Sequence, residues 1–282
     1  MTSLLRACVL SSSGFAVLAG LVVCGAPVAA QAQDGLPFAA HRAIYDLSLT
    51  KTLGSKAPTA ARGRIVFDFS GSSCDGYVQN FRQMTELQPA EGETRISDMR
   101  SATYEDGAGK NFSFKVKTTI NNGRPDDVDG RAQRSVGAVS IEISKPKRSK
   151  LDLDGEVVFP TEHMRRIVAA ARAGERVLEI KVYDGSDTGE KIFDTTSIIG
   201  KATTKPADEK AAKQPGLENI TRWPVAVSYF DPNKKDGVPN YVLSFDLYEN
   251  GISRALKLDY GDFVLSGEMT SLELLPEKAC KK

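Results

Sequence analysis

From residue 112 to residue 120 the chain alternates: Phe112, Phe114, Val116, Thr118 and Ile120 fall on one side of an extended backbone, Ser113, Lys115, Lys117 and Thr119 on the other. The same two-residue period recurs in Tyr45, Leu47 and Leu49, in Ile65, Phe67 and Phe69, in Leu178, Ile180 and Val182, and in Tyr241, Leu243, Phe245 and Leu247. It predicts about a dozen or more strands, most of them facing water on one side. Turn dipeptides punctuate them: Asp75-Gly76, Asp106-Gly107, Asn122-Gly123, Asp129-Gly130, Asp154-Gly155, Asp184-Gly185, Asp236-Gly237 and Asn250-Gly251. Flanked by alternating segments, such pairs are hairpin signals, so the expected sheet is antiparallel. A sheet of so many strands must protect its edges, and a strongly curved or closed one does so. Residues 51–61 and 201–216 keep no period and are expected to be exposed excursions.

The period changes to that of a helix once, in residues 159–175, where Met164, Ile167, Val168 and Ala171 share a face. Thr161 is the expected N-cap with Pro160 just outside, Glu162 suits the positive end, and Gly174 suits the closing position. The apolar stripe fits one-sided burial, with Met164, Ile167 and Val168 plugging the concave side of the sheet. The fold class expected is therefore all-β with one main helix.

The N-terminus reads differently. Arg6 is followed by an uncharged, apolar and small-residue run, and Val28-Ala29-Ala30 and Ala30-Gln31-Ala32 have the small-x-small form of signal-peptidase sites. Residues 1–32 are expected to be a cleaved signal peptide, cut after Ala30 or Ala32, with export to the periplasm and no spanning segment. Val23 is too large before Cys24 for a lipoprotein signal. The full chain of 282 residues carries 37 Lys and Arg against 36 Asp and Glu; loss of Arg6 makes the balance zero. That argues against a nucleic-acid partner, whose phosphates require a basic surplus.

Cleavage would leave Cys74 and Cys280 as the only thiols. An even pair in an oxidising compartment points to one disulfide. With no CxxC and no histidine near either in sequence, neither a redox motif nor a metal site is expected, and nothing calls for a cofactor.

Catalytic constellations are scarce. His41 and His163 are the only imidazoles, and no GxSxG elbow accompanies them. Glu162 and His163 are adjacent on a helix and point about 100° apart, so they do not form one site. Residues 231–237 imitate a calcium loop, but Lys235 occupies a ligand position and Gly237 comes one residue late. Lys145, Lys147, Arg148 and Lys150 form a cationic stretch, read as a solvated loop and alternatively as a contact for anionic headgroups. Trp223, His163 and Met164 are the candidate ligand contacts, with core packing the competing reading for each.

Taken in order, "AHRAIYDLSL", "SSCDGY", "YEDGAGKNFSF", "FPTEHM" and a cysteine near the C-terminus resemble the periplasmic cell-envelope integrity EipB family, long listed as a domain of unknown function. The resemblance spans residues 37–281. It implies a single domain over residues 33–282, wound as an antiparallel β-spiral or open barrel, and a disulfide at Cys74 and Cys280. It also implies a role in envelope integrity in alphaproteobacteria, without established catalysis. The expected function is a monomeric, non-enzymatic periplasmic factor that binds a partner protein or a lipid- or lipoprotein-like amphiphile. The alternative is a hydrolase or transferase acting on envelope glycan or lipid.

Overall fold

The alternating segments become one continuous sheet. A computed structural model of the chain describes residues 37–54, 57–276 and Cys280; the expected leader and its cleavage sites lie outside the described residues. Strands β1 (His41–Thr52), β2 (Ala60–Ser72), β3 (Gly76–Gln88), β4 (Arg95–Glu105), β5 (Asn111–Ile120), β6 (Asp126–Ser135), β7 (Ala138–Lys145) and β8 (Ser149–Asp154) each pair antiparallel with the next. After β9 (Val157–Val158) comes helix α1 (Pro160–Arg172). A second meander follows in β10 (Val177–Val182), β11 (Phe193–Ile199), β12 (Arg222–Phe230), β13 (Tyr241–Tyr248), β14 (Ser253–Asp259) and β15 (Phe263–Leu274). Strand β15 returns to β1, from His41 opposite Leu274 to Thr52 opposite Phe263. Among the described residues, the one parallel pair is β9 with β10.

Strands β8 and β9 are the two edges of this 15-stranded sheet, yet only Gly155 and Glu156 separate them in the chain. Laid flat, the edges would stand on the order of 70 Å apart at the usual strand spacing. The link from Asp154 to Val157 reaches about 11 Å at most. The sheet must therefore wind until its ends overlap. They overlap by packing instead of pairing: Val157, Phe159 and Tyr183 share a core with Phe112, Phe114, Val139 and Ile141. The Gly155 N–H donates to the Gly137 carbonyl at 2.8 Å, and Phe112 stacks on Phe159 with ring centroids 5.0 Å apart. The fold is thus an open, wound, almost wholly antiparallel sheet.

Two of the turn dipeptides do something other than close a hairpin. Asp154-Gly155 hands the chain from one sheet edge to the other. Asp129-Gly130 lies inside β6, at a shift of register with β7. A Cβ at Gly130 would stand 2.6 Å from the Phe114 ring and 2.8 Å from the Glu142 carbonyl, so glycine there answers a close approach and not a turn.

Helix α1 closes one end of the spiral. Ile167 and Val168 are fully buried with Trp223, Val225, Phe245 and Leu247, and Met164 packs against the same cluster. Ala169, Arg172 and Ala173 keep the opposite side exposed. The helix begins two residues earlier than expected: Phe159 is the N-cap, Pro160 the first helical residue, and Thr161 lies inside. Thr161 does not cap because its hydroxyl accepts the Gln79 amide at 3.0 Å. The cap comes from β4 instead. The Glu105 carboxylate accepts the Thr161 N–H at 2.7 Å and the Glu162 N–H at 2.9 Å. At the other end Gly174, at φ 78°, donates to Ala171, and Glu175 donates to Ala170, a Schellman closure.

Residues 201–216 correct the expectation of an exposed excursion. A short 3₁₀ turn (Lys210–Ala212) brings Ala207 and Ala212, with the following Leu217, into the core beside Tyr45, Leu265 and Met269. Glu209 is buried there; it meets Arg254 at 2.6 Å and accepts the Met269 N–H at 2.8 Å. Arg254 in turn holds Asp246 at 2.8 Å, and Asp246 holds Arg222 at 3.1 Å. In residues 51–61, Ala57 and Pro58 are likewise buried. Cys74, in the turn before β3, is joined to Cys280 with Cα atoms 5.7 Å apart, closing a separation of 206 residues.

Three outcomes are expected. Ile167→Ala should cost about 2 to 5 kcal/mol in chemical denaturation, since the helix sits in a packed cluster; a change below about 0.5 kcal/mol would show that the plug is not seated. Reduction of the disulfide should lower the midpoint of thermal unfolding, the chain-entropy model giving about 5 kcal/mol for so long a loop; an unchanged midpoint would remove its stabilising role. The third concerns pH. Burial pushes the Glu105 carboxyl up to about 7 from its ordinary 4.5, against the lowering effect of its two helix N–H bonds. The folded state therefore holds this proton more tightly than the unfolded one. Its contribution is complete below pH 4.5 and is lost as pH rises through 7, by about 3 kcal/mol at the limit. Stability of Glu105→Gln relative to wild type should accordingly rise between pH 5 and 8, and a pH-independent difference would refute the assignment.

Candidate functional site

Winding leaves a space between the helix plug and the free ends of the strands. Its volume is about 590 Å³. Within the roughly 300–1,000 Å³ typical of ligand pockets, it is large enough to enclose a small molecule. Met164 and Pro160 of the helix form its floor. Strands β12 to β14 supply an apolar wall of Val227, Leu243, Phe245, Leu256 and Leu258, and β2 adds Ile65 and Phe67. The facing wall is mixed. Gln79, Phe81 and Gln83 come from β3, Ser97, Met99, Ser101 and Thr103 from β4, and Val116 and Thr118 from β5.

Strand parity explains this lining. On β3 and β4 the odd-numbered residues point inward, and the even-numbered Arg82, Asp98 and Arg100 point outward. The outer faces of β1 to β4 carry a ladder of ion pairs, among them Arg64 with Asp46 at 2.7 Å and Arg82 with Asp98 at 2.9 Å. The two arginines beside Asp98 hold its carboxyl down at about 2. Among the described residues, no lysine, arginine or histidine lines the cavity.

Its ionisable groups lie where the 183–192 loop bridges the two walls and at the rim. Asp184 and Ser186 come from that loop, pressed so close to β5 that a Cβ on Gly185 would stand 2.3 Å from the Phe114 ring. The Asp184 carboxylate accepts the Ser186 N–H at 2.9 Å, and burial raises its pKa. Tyr229 and Tyr241, cross-strand partners on β12 and β13, stack with centroids 4.4 Å apart. Burial first, and the charge of Asp184 next for Tyr229, push their phenols upward. Asp259 and Tyr260 complete the rim, with Tyr260 38% exposed.

Of the residues singled out in the sequence, Met164 reaches the cavity. Trp223 does not: it lies four residues before Val227 on β12, in the core with Ile167 and Leu247. His163 does not line the cavity either. It is buried against β11, where the Thr195 hydroxyl donates to the Ile180 carbonyl at 2.7 Å and faces the His163 Nε2 at 3.3 Å. Burial, and then Arg166, bring its pKa down to about 4, so the imidazole is neutral near pH 7. His41 is buried between Phe67 and Phe69 and bonds the Ala39 carbonyl at 2.8 Å, its pKa lowered by burial. Lys145 ends β7 on Asp127 at 2.8 Å, and residues 146–148 form the exposed turn to β8; none of them lines the cavity. The Asp231 carboxylate accepts the Asn233 N–H and meets Lys191 at 3.4 Å.

Sequence reading missed the hydroxyl and amide wall. The alternation Ser97, Met99, Ser101, Thr103 has the strand period, but with little hydrophobic contrast to mark which face is inner. Asp184 was legible only as a turn residue. Among the described residues, no helix is long and apolar enough to cross a membrane.

Comparison with known proteins agrees with the architecture. A solved structure described as a beta-barrel-like protein of a domain of unknown function from Brucella abortus superposes with a TM-score of 0.80 at 36% identity, over 86% of this chain and all of that one. The cell envelope integrity protein EipB of Brucella abortus is 36% identical over 266 residues, 94% of this chain and 93% of that protein. The model of the EipB-like family matches residues 32–276, and the chain belongs to that family.

Proposed function

We propose that this protein supports cell-envelope integrity from the periplasm as a non-enzymatic binding factor, holding an amphiphilic envelope component in the cavity of the wound sheet. The observation that carries the reading is the cavity itself: an apolar wall facing a hydroxyl and amide wall, floored by a helix, is suited to a molecule with both characters. The role in the envelope rests on the name of the relative that is 36% identical over nearly its whole length.

Binding is favoured over catalysis by where the reactive groups are spent. Both imidazoles are committed to the packed core. Each cavity carboxylate is tied to its own loop, Asp184 by the Ser186 N–H and Asp259 by the Gly261 N–H, both at 2.9 Å. A general acid or base needs a positioned partner within hydrogen-bond reach, and these have backbone instead.

Ser101 stands in the mixed wall and is the place to test the reading. The neutral fluorophore N-phenyl-1-naphthylamine should bind the wild-type protein saturably at one site. Ser101→Trp, which fills the cavity, should weaken that binding at least about tenfold, a loss of roughly 1.4 kcal/mol, with the thermal midpoint retained. It should also fail to restore envelope integrity in a deletion strain. Restoration by a folded Ser101→Trp protein that no longer binds the probe would sink the proposal.

A further inference from the structure

The cavity's charge is one-sided. Among its described lining residues Asp184 and Asp259 are the only carboxylates, and no lysine, arginine or histidine stands with them. The lysines flanking Asp184 in sequence are engaged elsewhere, Lys181 by Asp194 at 3.9 Å and Lys191 by Asp231 at 3.4 Å. On β14, Lys257 is exposed, on the face opposite Leu256 and Leu258. A carboxylate held only by neutral hydrogen-bond donors has no counter-charge, and it repels any anion brought beside it. The same region presents three phenol rings, Tyr229, Tyr241 and Tyr260, whose faces attract cations.

Accepting that the cavity is a binding site, we infer that it selects amphiphiles whose head group is an amine or quaternary ammonium. The head lies near Asp184, Asp259 and the tyrosines, and the chain along Phe81, Leu243, Phe245 and Leu256. The hydroxyls and amides of the facing wall hydrogen-bond the polar part of the molecule next to the head. Fatty acids and other amphiphiles with anionic heads are disfavoured, because among the described residues no basic side chain lines the cavity to receive them.

The test varies the head and keeps the chain. Dodecylamine, dodecanol and dodecanoate, below their micellar concentrations near pH 7, are used to displace N-phenyl-1-naphthylamine from the full exported protein. The expected order is amine, alcohol, carboxylate, with the amine at least about tenfold tighter than the alcohol. Asp184→Asn together with Asp259→Asn should bring amine and alcohol within about threefold of each other while leaving dodecanol affinity in place. Asparagine keeps an oxygen to accept each loop N–H, and Asp259→Asn alone should give part of the effect if the double variant melts early. Dodecanoate binding as tightly as dodecylamine, or a preference for the amine that survives both substitutions, would overturn the inference and leave the binding reading standing. Failure of all three to displace the probe would remove the binding reading itself, and the inference with it.

Discussion

Two residues between β8 and β9 determine the shape of everything else. Because consecutive strands of the chain are the opposite edges of one sheet, a flat arrangement cannot be built, and every strand must tilt and twist toward closure. The ends meet through side chains. Phe112, Phe114, Phe159 and Tyr183 form an aromatic cluster where hydrogen bonds would have closed a barrel. This solution protects each edge differently. The two-residue β9 is covered by the opposite end of the sheet, while β8 carries exposed Lys150 and follows a cationic turn, features that discourage pairing with another chain. It also leaves space inside, because an overlapping turn has a larger circumference than its own side chains fill.

Filling that space from one end requires a helix whose first turn is buried, and a buried helix start leaves N–H groups without water. Glu105 answers the problem from the last position of β4. A carboxylate is the best acceptor for those N–H groups, yet burial is so costly that its pKa is driven up to about 7. Cap and plug are therefore one construction: the strand that lines the cavity through Ser97, Ser101 and Thr103 ends in the group that seats the helix. The buried chain Glu209, Arg254, Asp246 and Arg222 is a second polar solution, pinning the 201–216 segment across β13 to β15.

What could be read from the sequence was whatever follows a period. Phe112 to Ile120 and Tyr241 to Leu247 are strands with the expected faces, and Met164, Ile167 and Val168 are the helix face that packs. Gly174 closes the helix as its position implied, since a left-handed residue after an apolar stripe has few other uses. The failures share a cause, which is that polar residues carry no period of their own. Glu209 sits in a stretch rich in lysine and alanine and looks solvated until Arg254 is found beside it, 45 residues later. Gly130 follows an aspartate and looks like a turn until Phe114 is found against it. Ser97, Ser101 and Thr103 alternate correctly, but hydroxyls are as common outside a sheet as inside, so the cavity's polar wall was invisible before the winding was known. Trp223 and His163 were ambiguous for the opposite reason, because size and rarity mark a residue for the core as readily as for a site, and both pack in the core.

Charge shows the same division most clearly. The whole chain is almost neutral, 37 basic residues against 36 acidic, which by itself suggests no preference for any ligand. Winding sorts these charges. Arg42, Arg62, Arg64 and Arg82 stand on the convex face, each matched by a carboxylate on a neighbouring strand, so the outer face of β1 to β4 is balanced pair by pair. The cavity on the concave side receives almost no charge among its described residues, but what it receives is acidic, at Asp184 and Asp259. Exposed pairs contribute little to stability and are screened by salt, whereas a few uncompensated groups in an apolar enclosure dominate what can enter it. A balance that is neutral in total is thus strongly polarised in space, and the curvature of the sheet is the agent that separates the two.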